Sequence, residues 1–308
     1  MGSGAVGCFY GGLLARAGAP VTLIGRPAHV DAISRNGLRF EGLHFDGTVP
    51  LGASADPAAV RGAQWVLFSV KSIDTEEAAQ QIAPHLAPGA IVIGLQNGVD
   101  NIERIRRYVR NPVVPAVVYV AVAMAGAGHL RHTGRGDLII GNMGEGPALA
   151  PERLAEIGST FEAAGIRCPV SDNVEGELWV KLLMNCAYNA ISALGRSQYK
   201  RMAANPEILD VMRNAVREVI AVAGAAGVVL PPGDLVEAAC RLAESMPEAT
   251  SSTAQDLARG KRTEIDHLNG YVYRRGQALG VPAPVNQALH ALVRLLEASV
   301  LSGAPGAA

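Results

Sequence analysis

Met1-Gly2-Ser3-Gly4-Ala5-Val6-Gly7 opens the chain, and its reading decides the fold. The spacing is G-x-G-x-x-G. Ala5–Ala17 follows with helical spacing and few breakers, and Gly18 fits its C-terminal cap. Val21-Thr-Leu-Ile24 is then a short β-branched run of strand character. In this arrangement the first glycine permits a tight turn. The second lets backbone approach a pyrophosphate, and the third allows close helix packing. The helix N-terminus faces the negative charge. The motif alone is weak, but a helix and a strand at the right spacing support it. Gly2, Ser3, Gly4, Ala5, Val6 and Gly7 are therefore the expected phosphate-binding loop of a dinucleotide site. A strand should precede such a loop, and Met1 stands there instead. The central strand is expected to be missing, through a truncation or a start codon assigned too late.

Further along, Trp65–Val70 and Ala90–Leu95 are continuous apolar runs of strand length, with a helical stretch, Thr75–Leu86, between them. Continuous rather than alternating apolarity suggests strands buried on both faces of a parallel sheet. The alternation predicts a doubly wound α/β domain. Val113–Ala125, His129–His132 and Leu138–Gly141 read as further strands, with Gly126 and Gly128 in a turn, and Pro151–Ala164 as a closing helix. From Ser171 the period changes to about 3.6. Helices are expected over Val174–Leu194, Pro206–Ala226, Leu235–Ser245, Thr263–Leu279 and Val285–Leu301. The expected domains are 1–169, α/β, and 170–308, all-helical, with Ser302–Ala308 a disordered tail.

Composition narrows the function. At 308 residues, 49% hydrophobic, the chain can bury two cores. A net charge of −1 supplies no field of one sign for a nucleic-acid backbone. The longest apolar runs fall short of the roughly 20 residues of a membrane helix. No basic-then-apolar leader is read at the start. Cys8, Cys168, Cys186 and Cys240 form no CxxC pair, which argues against a disulfide framework or a zinc site. A soluble cytoplasmic protein is expected, with no metal and no nucleic-acid or membrane partner. Its long helices could pair two copies as a homodimer.

Several polar residues stand where packing does not ask for them. Arg26 ends the second expected strand, where an acid would hold a ribose 2′-hydroxyl, and no acid lies between Gly18 and His29. A guanidinium there suits a 2′-phosphate, so NADP is favoured over NAD. Lys71, in Val70-Lys71-Ser-x-Asp74-Thr75, and Asn97, in Gln96-Asn97-Gly98-Val-x-Asn101, follow strands directly, at the sheet edge where ligands bind. Lys181, Asn185 and Asn189 are spaced i, i+4, i+8 and so share one helix face, a polar stripe flanked by Leu182, Leu183, Ile191 and Leu194. Trp179 and Tyr188 lie outside it and read as packing groups, Cys186 as a core thiol. His129 and His132, three apart on a strand, point to opposite faces and make a poor metal pair.

Three clusters complete the pattern: Lys71 to Thr75 with Gln96 to Asn101, the helix carrying Glu177-Leu-Trp179-Val-Lys181 and Asn185, Asn189, and Ser251-Ser252-Thr-x-Gln255-Asp256 leading to Thr263-Glu264-Ile265-Asp266-x-x-Asn269-Gly270. Together with the glycine loop they resemble the ketopantoate reductase (2-dehydropantoate 2-reductase) family, from Gly2 to about Pro284. The resemblance implies a Rossmann domain, a helical domain like the C-terminal part of 6-phosphogluconate dehydrogenase, and a cleft between. It implies NADPH-dependent reduction of 2-dehydropantoate to (R)-pantoate, a step towards pantothenate. Lys181 would be the proton donor. Asn185, Asn189 and Ser252 would hold substrate, and Asn97 both nicotinamide and substrate. Glu264 would hydrogen-bond cofactor or substrate, while Asp256 and Asp266 are read as structural. Some members carry an asparagine after the Lys181 helix, where this chain has Gly195-Arg-Ser-Gln-Tyr199. That contact is lost or taken by Gln198 or Tyr199. Two rivals stand beside this reading: a reductase of another 2-oxo acid, and a non-catalytic NADP-binding sensor. Oxidation of a sugar phosphate is disfavoured, because no basic cluster accompanies Lys181.

Overall fold

The computed structural model describes residues 1–43, 45–144 and 146–303. Part of the tail expected to be disordered, residues 304–308, lies outside them. By its contacts the chain divides into two units, Met1–Gln96 with Asp100–Val174, and Asn97–Val99 with Glu175–Ala308.

The first unit runs α1 (Ala5–Arg16), β1 (Thr22–Ile24), α2 (Pro27–Asn36), β2 (Leu38–Glu41), β3 (Asp46–Val49), β4 (Gly52–Ser54), β5 (Trp65–Phe68), α3 (Thr75–Ile82), β6 (Ile91–Gly94), α4 (Asn101–Arg106), β7 (Val113–Gly126), β8 (His129–Ile140) and α5 (Pro151–Ala163). β5, β6 and β7 are parallel neighbours, and Phe68 pairs with Gly94, which brings the ends of β5 and β6 level. The apolar run of β6 is buried throughout, Val92 and Ile93 completely, as a strand covered on both faces requires, while β5 alternates half-buried and buried residues. β1 pairs only with β4, in parallel. No strand among the described residues pairs with both β1 and β5. Backbone at Met1 and Gly2 spans the gap instead: the Gly2 amide donates to Ile24 O at 2.8 Å, and the Ser69 amide to Met1 O at 2.8 Å.

The second half of this sheet departs from expectation. β7 and β8 form one long antiparallel hairpin, extended by β2 and β3. The two separate strands read over His129–Gly141 are a single strand. Tyr119 pairs with Asp137 and Val120 with Arg135, so Gly136 is an extra residue. Arg135 and Gly136 take positive φ, 54° and 155°, and this bulge carries the ladder past residues that sequence periodicity reads as a break. The core gathers Phe9, Tyr10 and Leu14 of α1 against Phe40, Leu130 and Leu138 of the sheet and Phe161 of α5.

The second unit is helical: α6 (Val174–Leu194), α7 (Tyr199–Ala203), α8 (Pro206–Ala225), α9 (Leu235–Ser245), α10 (Ser252–Ala258), α11 (Asn269–Leu279) and α12 (Pro284–Leu301). α8 shows why such helices form. Asn205 caps it by accepting from the Glu207 and Ile208 amides, and Pro206 occupies the first position. Met212, Ala215, Val216, Val219, Val222 and Ala223 then bury one stripe. The helix expected from Thr263 is corrected. Ile265–His267 is a 3-10 turn, and α11 begins only at Asn269. The cause is local: the Thr263 amide and hydroxyl both donate to buried Glu297, at 2.6 and 2.7 Å, and Leu268 adopts φ −112°, ψ −107°, outside helical values. The Thr75–Leu86 helix ends at Ile82, with Pro84 in the 3-10 turn that follows. None of the described helices is long and apolar enough to cross a membrane.

Candidate active site

The glycine loop is folded tightly on the exit of β5. Gly2 has φ 107°, and a Cβ there would lie 2.7 Å from Ser69 C and Val70 N. A Cβ on Gly7 would lie 2.0 Å from Gly2 O. Both positions therefore exclude any larger residue. Gly4 is different, because nothing lies within 4 Å of where its Cβ would be. It is the N-cap of α1, makes no side-chain cap, and is followed by no acid in the first turn. An open helix N-terminus with uncapped amides fits the phosphates of a dinucleotide. Arg26 is exposed at the end of β1 and caps α2. The donor set at this edge is thus cationic, with no acid in the place of a ribose-binding carboxylate.

Lys71 is half-buried and begins the 3-10 turn Ser72–Asp74 directly after β5. The loop after β6 starts at Leu95. Side chains of Ser72, Thr75, Gln96, Asn101 and Arg104 join these two loops in one buried polar network. Thr75, Gln96 and Asn101 fall inside motifs visible in the sequence, but their linkage is tertiary. A signal existed: four uncharged polar residues in two short loops that each follow a fully apolar strand.

In the second unit, α6 carries the polar stripe. Lys181 and Asn185 are half-buried, and Asn189 is 4% exposed. Leu182, Leu183, Cys186 and Ala187 beside them are fully packed. Asn185 Nδ2 is buried and makes no hydrogen bond among the described residues. A donor left in this state on a packed helix suits a ligand oxygen. Ser251 is buried, caps α10 by accepting from the Ala254 amide, and donates to Asn189 O at 3.0 Å. Ser252, the next residue, is exposed at the first position of α10. Glu264 is half-buried, and its Oε2 accepts from Asn97 Nδ2 at 3.3 Å. That bond joins two of the residues assigned from sequence, since Asn97–Val99 groups with the helical unit. Glu264 precedes the 3-10 turn and is not in the first turn of α11.

The neighbours fall into place as packing groups. Trp179 is 2% exposed and stacks edge-on against Tyr271. Tyr188 donates to Ala239 O at 2.8 Å. Tyr199, one of the two residues read as replacing the absent asparagine, has its ring 4.4 Å from that of Tyr188, and burial pushes its hydroxyl up to about 12. Burial also pushes the Cys186 thiol up, away from the thiolate a nucleophile needs. Asp266 accepts from His290 at 2.6 Å and pairs with Arg294 at 3.3 Å. No group of three or more metal-capable side chains occurs among the described residues.

Comparison with known proteins identifies the family. The ketopantoate reductase PanE/ApbA family model matches residues 1–145, and the ketopantoate reductase PanE/ApbA C-terminal model matches residues 173–297. The chain is 32% identical over 300 residues to 2-dehydropantoate 2-reductase of Pyrococcus abyssi, covering 97% of each. The crystal structure of a PanE/ApbA family ketopantoate reductase from Ralstonia eutropha JMP134 is 53% identical, with a TM-score of 0.91 over 97% of this chain and 98% of that one. A D-mandelate dehydrogenase solved with NADH and anilino(oxo)acetate is 23% identical, with a TM-score of 0.89 over 97% of each chain, and shares the fold. With both units matched along nearly their whole length, the chain belongs to the ketopantoate reductase family.

Proposed function

We propose that the chain reduces 2-dehydropantoate to (R)-pantoate with NADPH as hydride source, in pantothenate biosynthesis. The observation that carries this reading is the α6 stripe: a lysine and two asparagines on one face of a packed helix, with Asn185 Nδ2 buried and without a hydrogen bond among the described residues. The open α1 N-terminus at Gly4 would hold the pyrophosphate, and Arg26 the 2′-phosphate. Lys71 and Asn97 would hold the cofactor at the sheet edge, with Asn97 also reaching the substrate. When bound, the dinucleotide supplies the hydride that adds to C2 of the 2-oxo acid.

The remaining work falls to side chains. As C2 gains hydride, the carbonyl π electrons move onto oxygen. The Lys181 ammonium stabilises that charge and transfers one proton to it, and solvent reprotonates the amine. Asn185, Asn189 and Ser252 hold the carboxylate and hydroxyl through neutral donors, so no cation competes with Lys181 for the forming alkoxide. Glu264 accepts from Asn97 and orients it or a substrate hydroxyl. One feature favours a second reading, reduction of another 2-oxo acid: Tyr199 is packed against Tyr188, leaving only Gln198 to replace the absent asparagine.

A panel of 2-oxo acids followed by NADPH absorbance tests the reaction, with 2-dehydropantoate expected to give the highest kcat/KM. Lys181→Ala should lower kcat by at least about two orders of magnitude. NADPH affinity should change only several-fold, since the glycine loop lies in the other unit. Lys181→Arg should not restore turnover, because a guanidinium is a poor proton donor. Near-normal turnover in Lys181→Ala would refute the assigned role. A wild type that binds NADPH but reduces no 2-oxo acid would establish the sensor reading instead.

A further inference from the structure

The polar network between the loops after β5 and β6 is more elaborate than holding two paired strands requires. Thr75 Oγ1 accepts from Gln96 Nε2 at 2.7 Å. Its single proton is shared between Ser72 O and Asn101 Oδ1, each at 2.9 Å. Gln96 Nε2 also donates to Val70 O at 3.0 Å, and Asn101 Nδ2 to Ser72 Oγ at 3.2 Å. Arg104 closes the set, donating to Asn101 Oδ1 at 3.2 Å and to Glu76 Oε1 at 3.2 Å. Ser72 and Thr75 are fully buried, and Gln96, Asn101 and Arg104 are at most 8% exposed.

Backbone pairing already joins β5 to β6 in register. Apolar side chains would fill the space between the loops without any need for mutual orientation. What the polar set adds is direction. Val70 O and Ser72 O flank Lys71 on both sides in the chain, and both are fixed by hydrogen bonds from across the network. Gln96 and Asn101 bound the segment that carries Asn97, and both are tied to Thr75. The hydroxyl of Thr75 is bonded to both loops.

We propose that Thr75, with Gln96 and Asn101, is a positioning device: it sets Lys71 and Asn97 relative to each other for the cofactor. This rests on the proposed function, in which those two residues contact the bound dinucleotide. Thr75 touches neither substrate nor cofactor and acts through the two loops. Misplacing a reacting group by about an ångström is enough to lower rates by up to two orders of magnitude.

The test is a set of variants of the full chain: Thr75→Val, Thr75→Ser, Lys71→Ala and the double variant Lys71→Ala/Thr75→Val. Thermal midpoint, NADPH Kd by fluorescence titration, and kcat and KM for 2-dehydropantoate are measured on each. Thr75→Val should keep its fold, lower kcat/KM roughly tenfold to a hundredfold and weaken NADPH several-fold. Thr75→Ser, which keeps the hydroxyl, should return to within about threefold of wild type. In the Lys71→Ala background the NADPH effect of Thr75→Val should be clearly smaller, leaving only the part carried through Asn97, as expected for a residue that acts partly through Lys71. The proposal is overturned by a folded Thr75→Val within twofold of wild type, by Thr75→Ser as poor as Thr75→Val, or by an NADPH effect equal in both backgrounds. If Thr75→Val does not fold, Asn101→Ser breaks the same link and takes the same readouts, with the Lys71→Ala cycle repeated on it. A wild type inactive on every 2-oxo acid refutes the reaction, while the NADPH cycle still decides the brace.

Discussion

Replacing Asn185 by leucine should make the ligand-free protein more stable while lowering its activity. Asn185 Nδ2 is buried with no partner among the described residues, on a helix whose neighbours Leu182, Leu183 and Cys186 are fully packed. A buried donor without a hydrogen bond costs about 1–3 kcal/mol. Leucine keeps the branched outline and removes the donor, but its two methyls are larger than the amide oxygen and nitrogen they replace. Asn185 is half-buried, so the added volume can reach its open side, at a packing cost that offsets part of the gain. The net expectation is about 1 kcal/mol of stabilisation, or a rise of about 2–4 °C in the melting temperature of the helical unit. Thermal denaturation of the apo protein, followed by far-UV circular dichroism, measures it. In the same variant kcat/KM for 2-dehydropantoate should fall at least tenfold, since a lost hydrogen bond at substrate is worth about 1.5 kcal/mol or more. A melting temperature lowered by several degrees would refute the claim that Nδ2 is held unsatisfied. Unchanged kcat/KM would refute its role toward substrate.

Gly7→Ala places a Cβ 2.0 Å from Gly2 O and 2.4 Å from Ser69 Oγ, so it should cost about 1–3 kcal/mol of stability and raise the NADPH Kd more than tenfold, as read by denaturant titration and fluorescence. An alanine variant with wild-type affinity would mean that the loop is not the phosphate site. Arg26→Ala should weaken NADPH roughly tenfold to a hundredfold and leave NADH nearly unchanged; equal losses for both cofactors would remove the 2′-phosphate from the argument. Finally, the hydrogen bond from His290, opposed by burial and aided by the Arg294 charge, holds the Asp266 carboxyl below its ordinary range. Its contribution to stability is therefore complete above the unfolded-state pKa of about 4 and is lost as pH falls through the lower folded value. Asp266→Asn should flatten that acid limb in denaturation curves taken from pH 5 downward, and an unaltered limb would count against the pair.

Much of the fold was legible because its signals are local. Pro206, Asn205 and an apolar stripe mark α8 without reference to any other part of the chain. Strands β5 and β6 announce themselves by unbroken apolar runs. α2 was missed, although Pro27 at its first position and Val30 and Ile33 on its inner face were signals. β2, β3 and β4 are three or four residues each, too short for periodicity to speak, and they exist because β8 and β1 offer them edges to pair with. The single strand β8 was read as two because Gly134-Arg-Gly136 looks like a turn. Only the pairing with Tyr119 and Val120 makes it a bulge.

The candidate site divides the same way. Lys181, Asn185 and Asn189 were visible because helical geometry alone puts residues four apart on one face. The glycine loop was visible because its spacing is a local pattern; Gly2 and Gly7 would each place a Cβ inside their neighbours, while Gly4 leaves open space at the helix N-terminus. What no spacing rule reveals is which polar residue serves another. Thr263 looked like a helix start, since threonine is a good cap. Its hydroxyl and amide are instead consumed by Glu297, thirty-four residues away, and Glu264 is thereby held out of the helix. Thr75 stands in the sequence as the end of the Lys71 motif and the start of a helix, and its hydroxyl carries bonds to two loops. In both cases a threonine is bonded to a side chain distant in sequence, so such links are found by following hydrogen bonds from each candidate outward and not by asking what its own neighbours in sequence are.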